Sequence, residues 1–349
     1  MKEALLYQPG DDGSVHCRLC SHQCTVKPGR RGICGVRENR EGKLYSLVYG
    51  KVAAEHIDPV EKKPLFHFLP GSLTYSLSTV GCNFRCLHCQ NHTISQVVGS
   101  PDEMPHQRRR PADIVAAAEA SGCRSISYTY TEPTIFFEFA YDCCQAARQQ
   151  GLFNIFVSNG YMSREAAEML VPVLAAINID IKAFSETFYH KVCGAKLQPV
   201  LDNVRFFRAH GVWVEVTTLV IPGMNDSDEE LRSIAEFLVA CDPDIPWHVS
   251  AFRPTYKMLD RPPTPAQRLL SARDLGLAAG LRQVYVGNIY GSGGEDTVCP
   301  GCSQVLVRRR GFRVEQNAIR DGCCLSCSLP VAGIWDESGL TASRQLSAE

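Results

Sequence analysis

The stretch GCNFRCLHCQN, Gly81–Asn91, places Cys82, Cys86 and Cys89 within eight residues, separated by three residues and then by two. An odd number of thiols does not close as disulfides. A closed zinc or iron–sulfur site takes four protein ligands, so three describe a site with one position left open. The cysteines follow TYSLSTVG (74–81), an alternating run that reads as a strand. A first strand leading into cysteines, with no Gly-rich phosphate loop, favours a barrel over a doubly wound sheet.

Six more strand-like runs follow: SISYTYTEP, FNIFVSNG, AINIDIKAF, VWVEVTTLVIPG, WHVSAFRP and QVYVGNIYG. Helical stretches separate them, from PADIVAAAEASG (111–122) to PAQRLLSARDLGLAAG (265–280). Ser163 and Ser227 stand at N-cap positions, and Gly151, Gly211 and Gly280 at C′ positions. Strand and helix in alternation imply crossover connections and a parallel sheet. The expected fold is α/β, a partial or near-complete (β/α) TIM-like barrel. Chemistry in barrels gathers at the carboxyl ends of the strands. The ends read here carry Cys82, Glu132, Ser158–Asn159, Asp180 with Lys182, Thr217–Thr218, His248 with Arg253, and Asn288.

The bulk numbers narrow the function classes. The chain has 349 residues, 45% hydrophobic and 21% charged, an ordinary globular composition. A net charge of −1 gives no electrostatic case for a nucleic-acid partner. The opening MKEALLYQPGDDG is not read as a signal peptide, and no apolar run approaches a membrane span, so the expected location is cytoplasmic. Seventeen cysteines in such a chain point to metal rather than disulfides. Cys123, Cys143, Cys144, Cys193 and Cys241 lie in or beside helical stretches and read as small buried apolar residues.

Two further cysteine groups flank the barrel. Cys299-Pro-Gly-Cys302 and Cys324-Leu-Ser-Cys327 are zinc-ribbon knuckles around the β-like QVLVRRRGFRV, and Zn2+ in a closed tetrahedral site is expected there, with an auxiliary iron–sulfur cluster as the alternative. Cys323 is adjacent and stands as a substitute for Cys324. Cys17, Cys20, Cys24 and Cys34 form a looser group that suits Zn2+ or an auxiliary Fe–S cluster equally. Pairing of the two terminal groups in space stays open. The expected organisation is a Cys-rich metal-binding segment at 1–50, a barrel at 51–292, and a zinc-ribbon-like segment with a tail at 293–349. Within the second, DPVEKKPLFHFLPGS (58–72) reads as a polar, Pro-bounded connector.

Cys-x3-Cys-x2-Cys after a first barrel strand resembles the radical S-adenosylmethionine (radical SAM) enzymes. The resemblance implies a [4Fe–4S] cluster on Cys82, Cys86 and Cys89, with the fourth iron left to S-adenosylmethionine. It further implies reductive cleavage of that cofactor to a 5′-deoxyadenosyl radical that abstracts a hydrogen atom. Zinc completed by His88 or His92 is the alternative for the triad. Tyr130-Thr131-Glu132-Pro133 matches the family's Gly-Gly-Glu segment only at Glu132. Glu132 is thereby implied for the cofactor's ammonium, and Thr131 for one hydroxyl contact. VSNG (157–160) and DIK (180–182) resemble segments of the pyruvate formate-lyase activating enzymes, which implies cofactor contacts for Ser158, Asn159, Asp180 and Lys182. VIPGMND (220–226) is similar to a loop of the same group. His248 falls where that group brings a histidine to the cofactor, and His88 where an aromatic residue meets adenine.

Over residues 15 to about 336 the chain resembles more closely the AmmeMemoRadiSam-type radical SAM proteins. The motifs are CRLCSHQC…GICGVREN, DPVEKKPLFHFLPGS, TYTEPTIFFE, PWHVSAFRPTYKM, YVGNIYG and CPGC…CLSC. That resemblance implies two companion proteins. The expected function is an oxidoreductase-type radical SAM enzyme with an electron donor, acting on a protein or peptide, with glycyl-radical activation as its specific form. The alternatives are a small-molecule substrate or a non-redox zinc-binding interaction protein.

Overall fold

The computed structural model describes residues 1–96, 99–289 and 293–336. The end of YVGNIYG and the expected tail after residue 336 lie outside the described residues. Two compact units divide the chain, each assembled from separated stretches. The first comprises Met1–Asp58, Leu73–Ala175 and Val192–Asn203, and the second Pro59–Ser72, Ala176–Lys191 and Val204–Glu349. Four of the eight sheet strands fall in each.

In the first unit the strand order is β1 (Ala54–Pro59), β2 (Leu73–Ser78), β3 (Ser125–Tyr128) and β4 (Phe153–Ser158). In the second it is β5 (Ala176–Asp180), β6 (Trp213–Val220), β7 (Trp247–Ala251) and β8 (Val284–Gly287). β2, β3 and β4 are parallel, as are β5 to β8. Neither set shows the order reversal of a doubly wound sheet. Parallel neighbours require crossovers. These are α1 (Pro111–Ala120), α2 (Phe137–Gln149), α3 (Arg164–Leu170), α4 (Gln198–Ala209), α5 (Asp228–Cys241) and α6 (Ala266–Ala279). The architecture is a partial (β/α) TIM-like barrel.

All seven strands and six helices expected from periodicity are present, and their local causes can be named. Ser163 Oγ accepts the Ala166 N–H at 3.2 Å and Ser227 Oγ that of Glu230 at 3.2 Å, satisfying orphan donors at the starts of α3 and α5. Gly280 ends α6 with φ 113°, where a side chain would be strained. The inward face of α2 buries Phe137, Phe139, Ala140, Cys143, Cys144 and Ala147 completely or nearly so. Each buried Phe contributes roughly 2–3 kcal/mol. Burial pushes the Cys144 thiol up to about 12, so it behaves as an apolar side chain. Among the described residues, no helix is long and apolar enough to cross a membrane.

The segment expected to be a connector differs most from its sequence appearance. Ala54–Pro59 is a strand, and Glu61, Lys63, Phe66, His67 and Phe68 after it are buried. In the second unit Phe66 N and His67 N donate to the Glu215 carboxylate at 3.0 and 2.8 Å. The buried Arg309 pairs with Glu61 at 3.6 Å and donates to the Phe66 carbonyl at 2.6 Å. His67 Nδ1 lies 2.7 Å from the Ala332 carbonyl, which only accepts, so Nδ1 carries the proton and Nε2 accepts from the Tyr285 hydroxyl at 2.6 Å.

Burial lowers the His67 pKa from 6.5 to about 4. The folded state therefore binds fewer protons than the unfolded one between those values. The stability this provides is present above pH 6.5 and is lost as pH falls towards 4. The expected loss is about 3 kcal/mol. Urea unfolding across pH 4–7 checks it: the wild type loses stability on acidification, and His67→Gln shows a flatter profile.

Candidate functional site

In the first unit, the loop after β2 carries the cysteine triad. Gly81 starts it with φ 104°, and a Cβ there would lie 2.7 Å from Val36 Cγ1 and 3.1 Å from the Cys34 carbonyl. Only glycine meets both constraints. Gly81→Ala is expected to destabilise the protein by roughly 2–3 kcal/mol and to lower metal retention in the same preparation, checked by denaturant unfolding and iron content.

The Phe84 N–H donates to Cys82 Sγ at 3.3 Å, and Cys89 Sγ lies 3.1 Å from Ser95 Oγ. Burial raises the Cys82 thiol well above its ordinary range. Backbone N–H groups of Arg85 and Leu87 donate to the carbonyls of Cys193 and Val192 at 2.8 and 3.0 Å, fixing the loop at both sides of Cys86. Asn91 Nδ2 donates to the Tyr130 carbonyl at 2.7 Å. Tyr130 holds φ 64°, a conformation costing roughly 1–3 kcal/mol for a non-glycine residue. The cysteine loop and the Tyr130–Glu132 loop thus lock each other.

Glu132 is buried beside this loop. Its Oε1 accepts from Thr134 N at 3.0 Å and Ser158 Oγ at 2.8 Å, and Oε2 accepts from Asn159 N at 2.8 Å. Burial nevertheless raises its pKa, the donors opposing the shift. A carboxylate poised in this way gains from a cation placed against it. Thr131 Oγ1 donates to the Thr79 carbonyl at 2.9 Å. Asn159 Nδ2 donates to Asn83 Oδ1 at 2.7 Å, and it lies 4.0 Å from Cys82 Sγ. Of the residues expected from sequence, Cys82, Glu132, Ser158 and Asn159 are therefore joined by one hydrogen-bonded chain. His88 is buried within the cysteine loop itself. Asn83, which links Asn159 to the loop, was missed because it stands in the motif as a spacer.

The second unit holds the other expected contacts. Lys182 Nζ pairs with Asp180 Oδ2 at 3.1 Å at the end of β5, and Asn225 Nδ2 donates to the Lys182 carbonyl at 2.6 Å. His248 is the second residue of β7 and Thr217 the fifth of eight in β6, so neither occupies the strand end assigned from sequence. His248 Nε2 is bonded to Glu215 Oε2 at 2.6 Å, and its ring stacks on Tyr285 with centroids 5.2 Å apart. The strand Trp247–Ala251 begins where the run WHVSAFRP begins, so His248 stands near its amino end.

The cysteine groups differ in spacing. Among the described residues, Cys299, Cys302, Cys324 and Cys327 are the one His, Cys, Asp or Glu group gathered tightly enough for a single metal ion, with all sulfurs within 4.8 Å. Cys299 and Cys327 sulfurs are 3.6 Å apart, and those of Cys302 and Cys324 3.7 Å. A tetrahedron with 2.3 Å zinc–sulfur bonds has edges of about 3.8 Å. Cys323 lies outside the four and pairs with Arg320. Neither the triad nor Cys17, Cys20, Cys24 and Cys34 closes to that spacing among the described residues. Three soft thiolates suit a cluster, where each binds a different iron.

The family model of the radical SAM superfamily matches residues 76–238. An uncharacterized protein of Methanocaldococcus jannaschii is 47% identical over 316 residues, covering 90% of this chain and 93% of that one. The pyruvate formate-lyase 1-activating enzyme of Escherichia coli K12 is 20% identical over 159 residues, 45% of this chain and 65% of that enzyme. A solved domain of a pyruvate-formate lyase-activating enzyme from Bacteroides vulgatus is 16% identical, covers 47% of this chain and 99% of that one, and has a TM-score of 0.41. With the cysteine loop, the family-model match and the activating-enzyme relative together, the chain belongs to the radical SAM superfamily, enzymes of S-adenosylmethionine-dependent radical chemistry related to the pyruvate formate-lyase activating enzymes.

Proposed function

We propose that Cys82, Cys86 and Cys89 hold a [4Fe–4S] cluster with one open iron, and that the enzyme abstracts a hydrogen atom from a protein or peptide, in its specific form a glycyl residue. The bound cluster and S-adenosylmethionine supply the chemistry, a one-electron reductive cleavage to a 5′-deoxyadenosyl radical. Glu132 receives the cofactor's ammonium; Ser158 and Asn159 keep its carboxylate oriented. An electron donor of low potential is required, and Zn2+ occupies the four-cysteine site near the carboxyl end.

The observation that carries this is the chain Cys82–Asn83–Asn159–Glu132–Ser158, which ties an incomplete thiolate set to a buried acid. A protein or peptide substrate is favoured because the matched relative named from Escherichia coli activates pyruvate formate-lyase. The two companion proteins implied by the motif resemblance are the first substrates to try.

Anaerobic reconstitution with iron and sulfide, followed by dithionite and S-adenosylmethionine, should release 5′-deoxyadenosine. Iron at background after reconstitution would overturn the reading. Incubation with deuterium-labelled candidates then identifies the hydrogen donor. Label passing into 5′-deoxyadenosine from a companion protein supports the protein substrate, and label passing only from a small metabolite replaces it.

A further inference from the structure

The amino-terminal cysteines belong to a second built site. Cys17, Cys20, Cys24 and Cys34 line one cavity in the first unit, with His22, Arg37 and Asn83 among its polar walls. They reach it from separate local structures. Cys17 ends the strand Val15–Cys17, Cys20 bridges Met162, and Cys24 precedes the strand Thr25–Val26. The Gln23 N–H returns to the Cys20 carbonyl at 3.0 Å, making a knuckle turn, and Cys17 N donates to the Cys24 carbonyl at 2.9 Å.

Every sulfur of the group faces an N–H donor. The backbone N–H groups of His22, Ile33 and Val36 lie beside Cys20, Cys24 and Cys34. The guanidinium of Arg37 donates to Cys17 Sγ at 3.4 Å. Such donors stabilise metal-bound thiolates and tune clusters, whereas a neutral thiol is a weak acceptor. The spacing then selects the metal. The four cysteines near the carboxyl end are drawn in to the edge length of a zinc tetrahedron, while this group, like the triad, is not.

We infer that Cys17, Cys20, Cys24 and Cys34 ligate a second [4Fe–4S] cluster, not zinc, and that it lies beside the Cys82 loop with Asn83 between the two thiolate sets. Asn83 lines the cysteine cavity. Its Oδ1 lies 3.9 Å from Cys82 Sγ, and its carbonyl is bonded to His22 Nε2 at 2.8 Å. One residue thus lines the amino-terminal cysteine cavity and approaches Cys82. All four irons here have protein ligands, so this cluster binds no cofactor. The site itself stands on its own geometry. Only its adjacency to a second cluster rests on the proposed function.

The test uses the full chain with Cys82, Cys86 and Cys89 replaced by alanine, which leaves the amino-terminal ligands untouched. Anaerobic reconstitution should give about four iron and about four sulfide per chain, with zinc at no more than one. Adding Cys20→Ser and Cys24→Ser should remove that iron. Iron at background with a second zinc per chain, or iron without acid-labile sulfide, overturns the inference.

Adjacency is read in the reduced wild type. Its electron paramagnetic resonance spectrum should be broadened by coupling of two spins. A spectrum equal to the sum of those of the two single-cluster variants overturns adjacency. The two proposals fail separately. If the triple alanine variant holds no iron while Cys20→Ser/Cys24→Ser still releases 5′-deoxyadenosine, the second cluster is wrong and the proposed function stands. If the triple alanine variant holds the same iron as wild type, the function fails and the second cluster stands.

Discussion

Cys82→Ala is expected to bring reductive cleavage of S-adenosylmethionine below detection while changing thermodynamic stability by only about 1 kcal/mol. The two effects separate because of where the sulfur sits. Cys82 Sγ accepts the Phe84 N–H at 3.3 Å, and the loop is held by backbone bonds from Arg85 and Leu87 and by Asn91, none of which needs the thiol. Alanine keeps the Arg85, Leu87 and Asn91 bonds and loses one partly buried sulfur together with the bond it accepts from Phe84 N–H. The proposed cluster, by contrast, has three protein ligands and no reserve. Iron should fall by about four per chain, the content of one cluster. The measurement is iron and sulfide content, 5′-deoxyadenosine formed under dithionite, and a urea unfolding curve on one preparation. Retained cleavage would remove Cys82 from the cluster. Full cleavage loss with a stability loss above about 3 kcal/mol would make the residue structural.

Much of this was legible because local rules and the tertiary fold agree. The runs at 74–81, 125–133 and 153–160 alternate or stay apolar as buried parallel strands must, and the serines at 163 and 227 cap the helices that follow. The triad was legible because its spacing is local. What failed depends on partners far along the chain. Glu61, Lys63 and His67 look like a solvated connector, yet Glu61 meets Arg309 and His67 meets Tyr285, both more than two hundred residues away. No window of sequence records that a charge will be paired inside. His248 was placed at a strand end although it is the second residue of the run WHVSAFRP, and the strand Trp247–Ala251 keeps it at that position. Its actual partner, Glu215, reads in sequence as an ordinary polar break in a strand. The spacing of metal sites was illegible for a related reason. Cys-x2-Cys pairs occur in both terminal groups, and only the folded backbone separates four sulfurs at single-ion distance from four that are wider apart.

Removal of the metal from the carboxyl-terminal site is expected to unfold its small sheet, Thr297–Val298, Val305–Arg310 and Arg313–Asn317, while the rest of the chain stays folded. The core available there is Leu306, Val307, Ile319 and Val331 with the two buried thiols Cys299 and Cys324, packed by Val314 and Trp335. At about 2 kcal/mol per buried aliphatic side chain, that falls well short of the entropy of ordering some forty residues. Zinc binding to such sites provides about 10–16 kcal/mol at neutral pH, so folding and metal are coupled. Trp335, whose Nε1 donates to the Val331 carbonyl at 2.7 Å, reports on the state of this core. A strong chelator should release about one zinc per chain, red-shift tryptophan emission and open the 297–324 segment to proteolysis. Cys327→Ser should reproduce this without chelator, because its sulfur forms one edge of the tetrahedron with Cys299 at 3.6 Å. Cys323→Ser should not, since Cys323 is not among the four gathered sulfurs. Equal zinc loss from the two variants would mean that the four sulfurs at van der Waals distance are not the ligand set.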